Sequence, residues 1–351
     1  MQAELLRPAD ARWLDFLGAC RHDFYHLPAY VELCARHEGG EAAAFWAAEG
    51  GAAMLIPMVL RPLPAELDSG RGWLDAVAPY GYPCPLVRGE PGAEALASML
   101  WAFREAGAAA GIVCAFLRMH PLLPLPEAPF RAFGELIEHG ETVYLDLALP
   151  REELDRQTRA NHLADVRKLE REGFTVRVDA WERMADFVRI YEQTMRYRAA
   201  GAYYFFERGY YDELRRSLDG NLHLCIVQSP DGDAAAAGLF TRIGGLVQFH
   251  LSGTSEDYRR AGPAKMMLVH MRDWARERGA RYLHLGGGVG CREDSLAFFK
   301  QGFSKLRGRF RTFRMVLEPG AYHSLVQGLP QGAQAAGDFF PAYRRPRKEL
   351  E

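Results

Sequence analysis

One order of elements runs twice through these 351 residues, and that repeat limits the folds open to the chain. The first half reads as helices near residues 9–20 and 28–37, then AAFWAAEGGAAMLIPMVL as two strands joined at Gly50-Gly51. A strand near 73–77, a helix over 94–108, the apolar strand GIVCAFL and the strand TVYLDL follow. The second half opens with PREELDRQTRANHLADVRKLEREG, whose Pro150, early acidic residues and closing Gly173 predict one helix. Next come a strand at 174–178, helices at 181–198 and 208–218, and strands at 222–228 and 234–243. After Gly244-Gly245 the strand LVQFHLS, a long helix over 263–278, the strand RYLHL, a glycine-rich loop, a short helix over 294–300 and the strand RFRTFRMVL complete the series. Two rounds of alternation predict an α/β chain of two related domains, residues 1–149 and 150–328. The tail, residues 329–351, has the Gln, Gly, Pro and Arg content of a poorly packed segment, DFFPAYR apart.

With 48% hydrophobic residues the chain has material for two cores. Its 43 basic and 45 acidic residues give a formal charge of -2, so any contact with nucleic acid must be local. The six cysteines form no CxxC pair, which fits reduced thiols in the cytoplasm. MQAELLRPADARW carries charges where a signal peptide needs an apolar stretch, and the longest apolar runs fall short of the roughly 20 residues that span a bilayer. A cytoplasmic chain without membrane insertion is expected. HDFYH at residues 22–26 mimics a zinc motif, but Pro28 argues against a continuous metal-binding helix there, so no metal is expected. Serine hydrolase chemistry lacks its GxSxG.

Two loops invite a phosphate reading. LHLGGGVG places Gly286, Gly287 and Gly288 after a strand, yet a dinucleotide fingerprint from Gly286 would need glycine where Cys291 stands, and no GK[ST] follows. A tight turn with close backbone approach explains the glycines as well. RRAGPA, with Arg259 and Gly262, precedes the long helix and fits the R-x-x-G-x-A pattern of the pyrophosphate loop in coenzyme A-dependent GNAT enzymes, although Pro263 removes one donor.

LHLGGGVGCREDSLAFFKQGFS, at residues 283–304, resembles the signature near the C-terminal end of the Fem (FemABX) family, a glycine turn leading into a helix with a Phe-Lys pair. VQFHLSGT, TRANHLADVRKLEREG, PYGYPCPL, FLRMHPLL and FFPAYR match further family segments in order, from about Asp75 to Arg344. The resemblance implies two GNAT-like domains, an acceptor cleft between them and a channel for the acyl donor in the second. It also implies aminoacyl-tRNA as donor and an amine of a small molecule or a UDP-sugar peptide of the cell wall as acceptor. The long charged coiled-coil insertion of some cell-wall members is absent, which weakens the peptidoglycan assignment.

Aminolysis of an ester passes through a tetrahedral oxyanion, so the site needs a cation or N–H donors more than a nucleophile. The resemblance places Lys300 in that role, with Phe299 able to stack on the terminal adenosine. Leu296, Phe299 and Phe303 also form an ordinary core stripe. His250, on a strand from which GNAT enzymes often supply a base, is a candidate to deprotonate the amine, as are the substrate's own phosphates. His284 alternates with Tyr282 and reads as structural. Tyr80, Tyr82, Arg118 and His120 supply aromatic, cationic and hydrogen-bonding groups for an acceptor. Arg156, Arg159, Arg167, Lys168 and Arg171, and the alternating Arg307, Arg309, Arg311 and Arg314, are candidates for RNA phosphates. The expectation is an amide-forming acyltransferase without a cofactor. An acyl-CoA-dependent N-acyltransferase using Arg259 and Gly262, or a non-catalytic binding protein, are the alternatives.

Overall fold

The computed structural model describes residues 1–67, 70–328 and 339–345. In chain order the elements are β1 (Gln2–Leu6), α1 (Ala11–Gly18), α2 (Pro28–Glu38), β2 (Glu41–Glu49), β3 (Ala52–Pro62), β4 (Leu74–Val77), β5 (Leu86–Arg88), α3 (Ala93–Ala109), β6 (Ile112–Met119), α4 (Glu127–Phe133) and β7 (Glu135–Asp146). There follow α5 (Arg151–Gln157), α6 (Ala160–Arg171), β8 (Thr175–Val178), α7 (Met184–Tyr197), α8 (Arg208–Leu218), β9 (Leu222–Gln228), β10 (Ala234–Ile243), β11 (Leu246–Thr254), α9 (Pro263–Glu277), β12 (Tyr282–Gly286), α10 (Ser295–Lys300), β13 (Arg307–Val316) and α11 (Pro319–Gln327). The chain divides into two compact units: one holds Met1–His139 with the described residues from Phe310 on, the other Gly140–Arg309. Assigning the whole of 150–328 to the second unit therefore misplaces residues 310–328, because β13 crosses over and pairs with β6 from Arg311 to Val316.

Each unit is a mixed α/β layer built the same way. In the first, β1, β2, β3 and β4 pair antiparallel in turn, β4 pairs β6 in parallel, and β6 pairs β13 antiparallel. In the second, β8, β9, β10 and β11 are antiparallel neighbours, β11 pairs β12 in parallel, and β12 pairs β7 antiparallel. Each unit thus has one parallel pair among the described residues. A parallel pair needs a crossover, which α3 supplies in the first unit and α9 in the second. Met99, Leu100 and Phe103 of α3 are fully buried, as are Met267, Met271 and Ala275 of α9, so both crossover helices anchor their unit's core.

The single helix expected over residues 150–173 is two helices. Thr158 and Arg159 adopt extended ψ angles of 134° and 135°. There the backbone follows tertiary bonds: Arg159 N–H donates to Gly302 O at 2.7 Å, and Thr158 Oγ1 to Leu154 O at 2.9 Å and Phe303 O at 3.4 Å. In the tail, DFFPAYR is described from Phe339 and packs on the first unit, Tyr343 being 5% exposed. The rest of the tail lies outside the described residues.

Helix α7 lies against β11, where Thr194 Oγ1 accepts from Thr254 N–H at 3.1 Å. A methyl group on Gly253 would fall 2.6 Å from Ile190 O and 2.7 Å from Thr194 Oγ1. Gly253→Ala is expected to lower the unfolding free energy by about 1–3 kcal/mol, the range for overpacking. Gly18→Ala, with open space around the new methyl, should leave it near wild type. Urea midpoints of the two variants check the contrast.

Candidate active site

The parallel register of β11 with β12 lasts for three pairs, Leu246↔Tyr282 to Gln248↔His284, while β11 continues to Thr254 and β12 to Gly286. The strands part at a buried polar pair, in which His284 Nδ1 and Gln248 Oε1 stand 2.7 Å apart. A bulge flanks each side of the opening. Opposite β10, Leu239 pairs Leu251 and Phe240 pairs Phe249, which leaves His250 as the extra residue. Opposite β7, His284 pairs Tyr144 and Gly286 pairs Val143, which leaves Leu285. Bulges re-aim side chains. His250 accordingly sits half-buried at the opening, at the carboxyl end of the parallel pair where open α/β sheets bind ligands.

Lys300, the last residue of α10, enters this region from the loop side. It is 8% exposed, its Nζ donates to Gly287 O at 2.7 Å, and it lies 5.9 Å from the Phe249 ring centroid. Burial pulls its pKa down to about 8, opposed by Cys291 and Asp294. Burying a charge is costly without partners, and a carbonyl and a ring face are the partners seen here. One ammonium hydrogen is spent on Gly287, which leaves others for a substrate oxygen.

The glycine loop acts through its shape. Gly286 takes a left-handed φ of 73°. A side chain on Gly287 would meet Cys291 Sγ at 2.8 Å and Glu141 O at 2.9 Å, and one on Gly288 would collide with Arg292 O and the Asp294 carboxylate. Loop amides are used internally: Cys291 N–H donates to Gly288 O, Arg292 N–H to Val289 O, and Val289 N–H to Asp294 Oδ2. Asp294 also caps α10 through Ala297 N–H at 2.8 Å. The loop is thus a turn that presents Gly287 O to Lys300.

Phe299 packs on Phe303 and on His162, with centroids 5.3 Å and 5.7 Å away, and is half-buried. His162 is 4% exposed and lies against Gly302 so closely that no Cβ fits there. Burial, then Lys265 and Arg159, depress its pKa to about 4. Neither Phe249 nor His162 was singled out from sequence, though Phe249 adjoins His250 in VQFHLSGT. At the start of α9, Gly262 has φ 70° and donates its N–H to Arg259 O. Arg259 pairs with Glu256 at 3.1 Å and covers the Tyr197 ring at 3.7 Å.

In the first unit the other candidates gather at the equivalent place, the carboxyl ends of β4 and β6. Arg118 Nη1 donates to Ala78 O at 2.7 Å and to Pro79 O at 3.3 Å, and Tyr30 OH to Tyr80 O at 2.9 Å. Gly81, at φ 113°, has the Tyr25 ring where a Cβ would be. Tyr82 meets Tyr25, His120 and Phe310 edge-on. His120 is a different case from its three neighbours. It is 3% exposed, with Nε2 3.0 Å from Asp23 Oδ2 and Nδ1 accepting from Leu122 N–H, so both ring nitrogens are engaged and it positions the loop. HDFYH belongs to the same network: Asp23 caps the 3-10 turn Phe24–His26, and buried His26, its pKa depressed by burial to about 3, faces Cys84 O.

The arginine row of β13 is largely neutralised. Arg307 faces Glu141 at 3.7 Å, Arg311 pairs with Glu127, and Arg314 faces Glu135 at 3.9 Å, while Arg309 is exposed. In the earlier group Arg156 pairs with Glu153 and Lys168 with Glu172, Arg159 covers Phe298 at 3.8 Å, and Arg167 and Arg171 are exposed. No group of three or more His, Cys, Asp or Glu able to hold a metal occurs among the described residues, and no helix there is long and apolar enough to cross a membrane.

Residues 156–295 match the family model described as an acetyltransferase (GNAT) domain, so the chain is an acyltransferase by class. Its fold is similar to the crystal structure of FemX, with a TM-score of 0.70 at 14% identity over 92% of this chain and 99% of that one. The C-terminal domain of a protein described as a lysylphosphatidylglycerol synthetase from Agrobacterium fabrum follows at 0.58, 16% identity and 90% and 94% coverage. L-PGS from Bacillus licheniformis gives 0.51, 16%, 82% and 91%. At these identities the three establish the fold. No curated protein matches the chain.

Folded Lys300 holds its proton more weakly than the ordinary 10.5 of the unfolded chain, so between about pH 8 and 10.5 the unfolded state binds more protons and stability rises with pH. Relative to Lys300→Met, the wild type should gain roughly 3 kcal/mol across that window. Parallel urea titrations at pH 7.5 and 10.5 read the difference, and a constant gap would mean that Lys300 is not a buried cation.

Proposed function

We propose that the second unit transfers an aminoacyl group from the 3′ end of aminoacyl-tRNA to an amine, forming an amide, with Lys300 as the oxyanion-stabilising cation. The observation that carries this reading is the buried ammonium held on Gly287 O at the mouth of the strand opening. The amine nitrogen attacks the ester carbonyl carbon. With the acceptor's ammonium first deprotonated by a base, Lys300 neutralises the charge that develops on the carbonyl oxygen as the neutral amine adds. The bond to the ribose oxygen then breaks, and that oxygen leaves as a hydroxyl with the proton that the nitrogen gives up. His250 on its bulge is assigned that base. Acceptor recognition is assigned to Tyr80, Tyr82 and Arg118 in the first unit, with His120 as a support, and the acceptor to the amines of small molecules or cell-wall precursors.

The start of α9 supports tRNA over coenzyme A. A diphosphate needs several free amides, but Gly262 N–H is used on Arg259 O, Lys265 N–H on Gly262 O, and Pro263 has none. Lys265 Nζ is itself held by Asp165. On the α10 side the half-buried Phe299 offers a stacking face, a contact worth roughly 1–3 kcal/mol per base in single-strand binders.

Two comparisons test the donor and the chemistry. An aminoacylated CCA-ended minihelix should raise the Tm of the wild type and fail to do so with Phe299→Ala, while acetyl-CoA shifts neither. Stabilisation by acetyl-CoA that Gly262→Glu abolishes and Phe299→Ala keeps would replace the donor. With the minihelix and a panel of amines, Lys300→Met should fold normally and lose about a hundredfold or more in kcat. Turnover near wild type would remove Lys300 from the mechanism.

A further inference from the structure

Residues 339–345 lie on one row of the first unit's sheet. Side chains alternate along a strand, so Cys114, Phe116 and Arg118 of β6 point the same way. Tyr343 OH stands 3.2 Å from Cys114 Sγ. One step along, Phe340 stacks on Phe116 at 6.5 Å and 29°, with Arg314, the cross-strand partner of Phe116, 5.9 Å over its ring. The next residue in the row is Arg118, whose guanidinium lies 5.4 Å from the Phe116 ring and holds the carbonyls of Ala78 and Pro79. Ala78 is tied a second time, its N–H donating to Phe116 O at 2.8 Å.

The segment is fastened at both ends of this row. Arg344 Nε donates to Asp75 Oδ2 at 2.7 Å and its Nη2 to Pro62 O, while Arg61 Nε takes the other oxygen of the same fully buried carboxylate at 2.9 Å. Phe340 also stacks on Tyr322 at 5.7 Å and 22°, and Ala342 N–H donates to Tyr322 OH at 3.4 Å. An Arg–carboxylate bond inside the protein and a flat aromatic stack fix position as well as contribute energy.

We propose that residues 339–345 form a positioning strap for the loop at residues 78–82, acting through Phe340 on Phe116 and Phe116 on Arg118. With Phe340 in place the Phe116 ring is packed by Phe340 as well as by Arg118, and the guanidinium is held where it clamps the loop before Tyr80 and Tyr82. Without it the ring can turn, and the clamp loses its platform. The strap rests on the reading of that loop as acceptor-binding only for its effect on turnover. Its mechanical part stands on contacts within one unit.

Hydrogen exchange on the full chain, read by mass spectrometry, separates the two parts. Phe340→Ala is expected to raise exchange at residues 78–82 by about tenfold, with residues 283–300 unchanged, as for loss of a local restraint. Phe339→Ala, at a 38% exposed neighbour, should change neither region. If Phe340→Ala does not fold, Phe340→Leu, which keeps apolar volume and removes the ring face, carries the same comparison. Unchanged exchange at 78–82 in the folded variant overturns the strap. In the minihelix assay Phe340→Ala should raise KM for the amine several-fold and leave kcat near wild type. Faster exchange with unchanged KM keeps the strap and removes the loop from acceptor recognition.

Discussion

A parallel strand pair cannot be closed by a turn, so the chain must leave the sheet, cross it as a helix and return. In both units the architecture follows from meeting that constraint once. The crossover helices α3 and α9 carry the buried residues on which each core is built, and the parallel pair each one closes ends in the residues with chemistry to offer. In the second unit the pairing ends after three residues, with a bulge in the pairing on each side. In the first the same strand ends lead into the Tyr80–Tyr82 loop and His120.

What differs between the two ends is where charge is buried. At the second unit's opening a lysine is held on a backbone carbonyl with its proton loosened by burial. At the first unit's strand ends the buried titratable groups are consumed among themselves, Asp23 with His120 and His26 with the Cys84 carbonyl. The first arrangement leaves hydrogens for a substrate. The second supports a loop. Burial likewise raises the thiols of Cys34, Cys84 and Cys114 to about 12, which makes them packing residues.

Local signals in the sequence were strong where turns punctuate apolar runs. The strands expected at 222–228 and 234–243 coincide with β9 and β10, and β10 ends where Gly244-Gly245 stops it. The break between α5 and α6 had no such mark, since Gly302, 143 positions from Arg159 in the chain, supplies the carbonyl that makes it. β1 is only five residues long, too brief for the alternation of Gln2, Ala3, Glu4 and Leu5 to mark it as a strand, and it is specified by its partner β2. The arginines of β13 looked available for RNA because Glu127, Glu135 and Glu141 reach them only through the fold. At the site, Lys300 and Phe299 were legible through a family resemblance, whereas the carbonyl under Lys300, the ring of Phe249 and the bulge at His250 belong to tertiary structure and register.

The central claim is that the acyl donor's ester lies in the opening between β11 and β12. It is tested most directly by photolabelling the wild-type chain with an aminoacyl-adenosine analogue bearing a diazirine on the aminoacyl group, followed by peptide mapping. The account predicts label on Phe249, His250 and residues 286–300, suppressed by unlabelled aminoacyl-adenosine. Competable label confined to residues outside that set would contradict it.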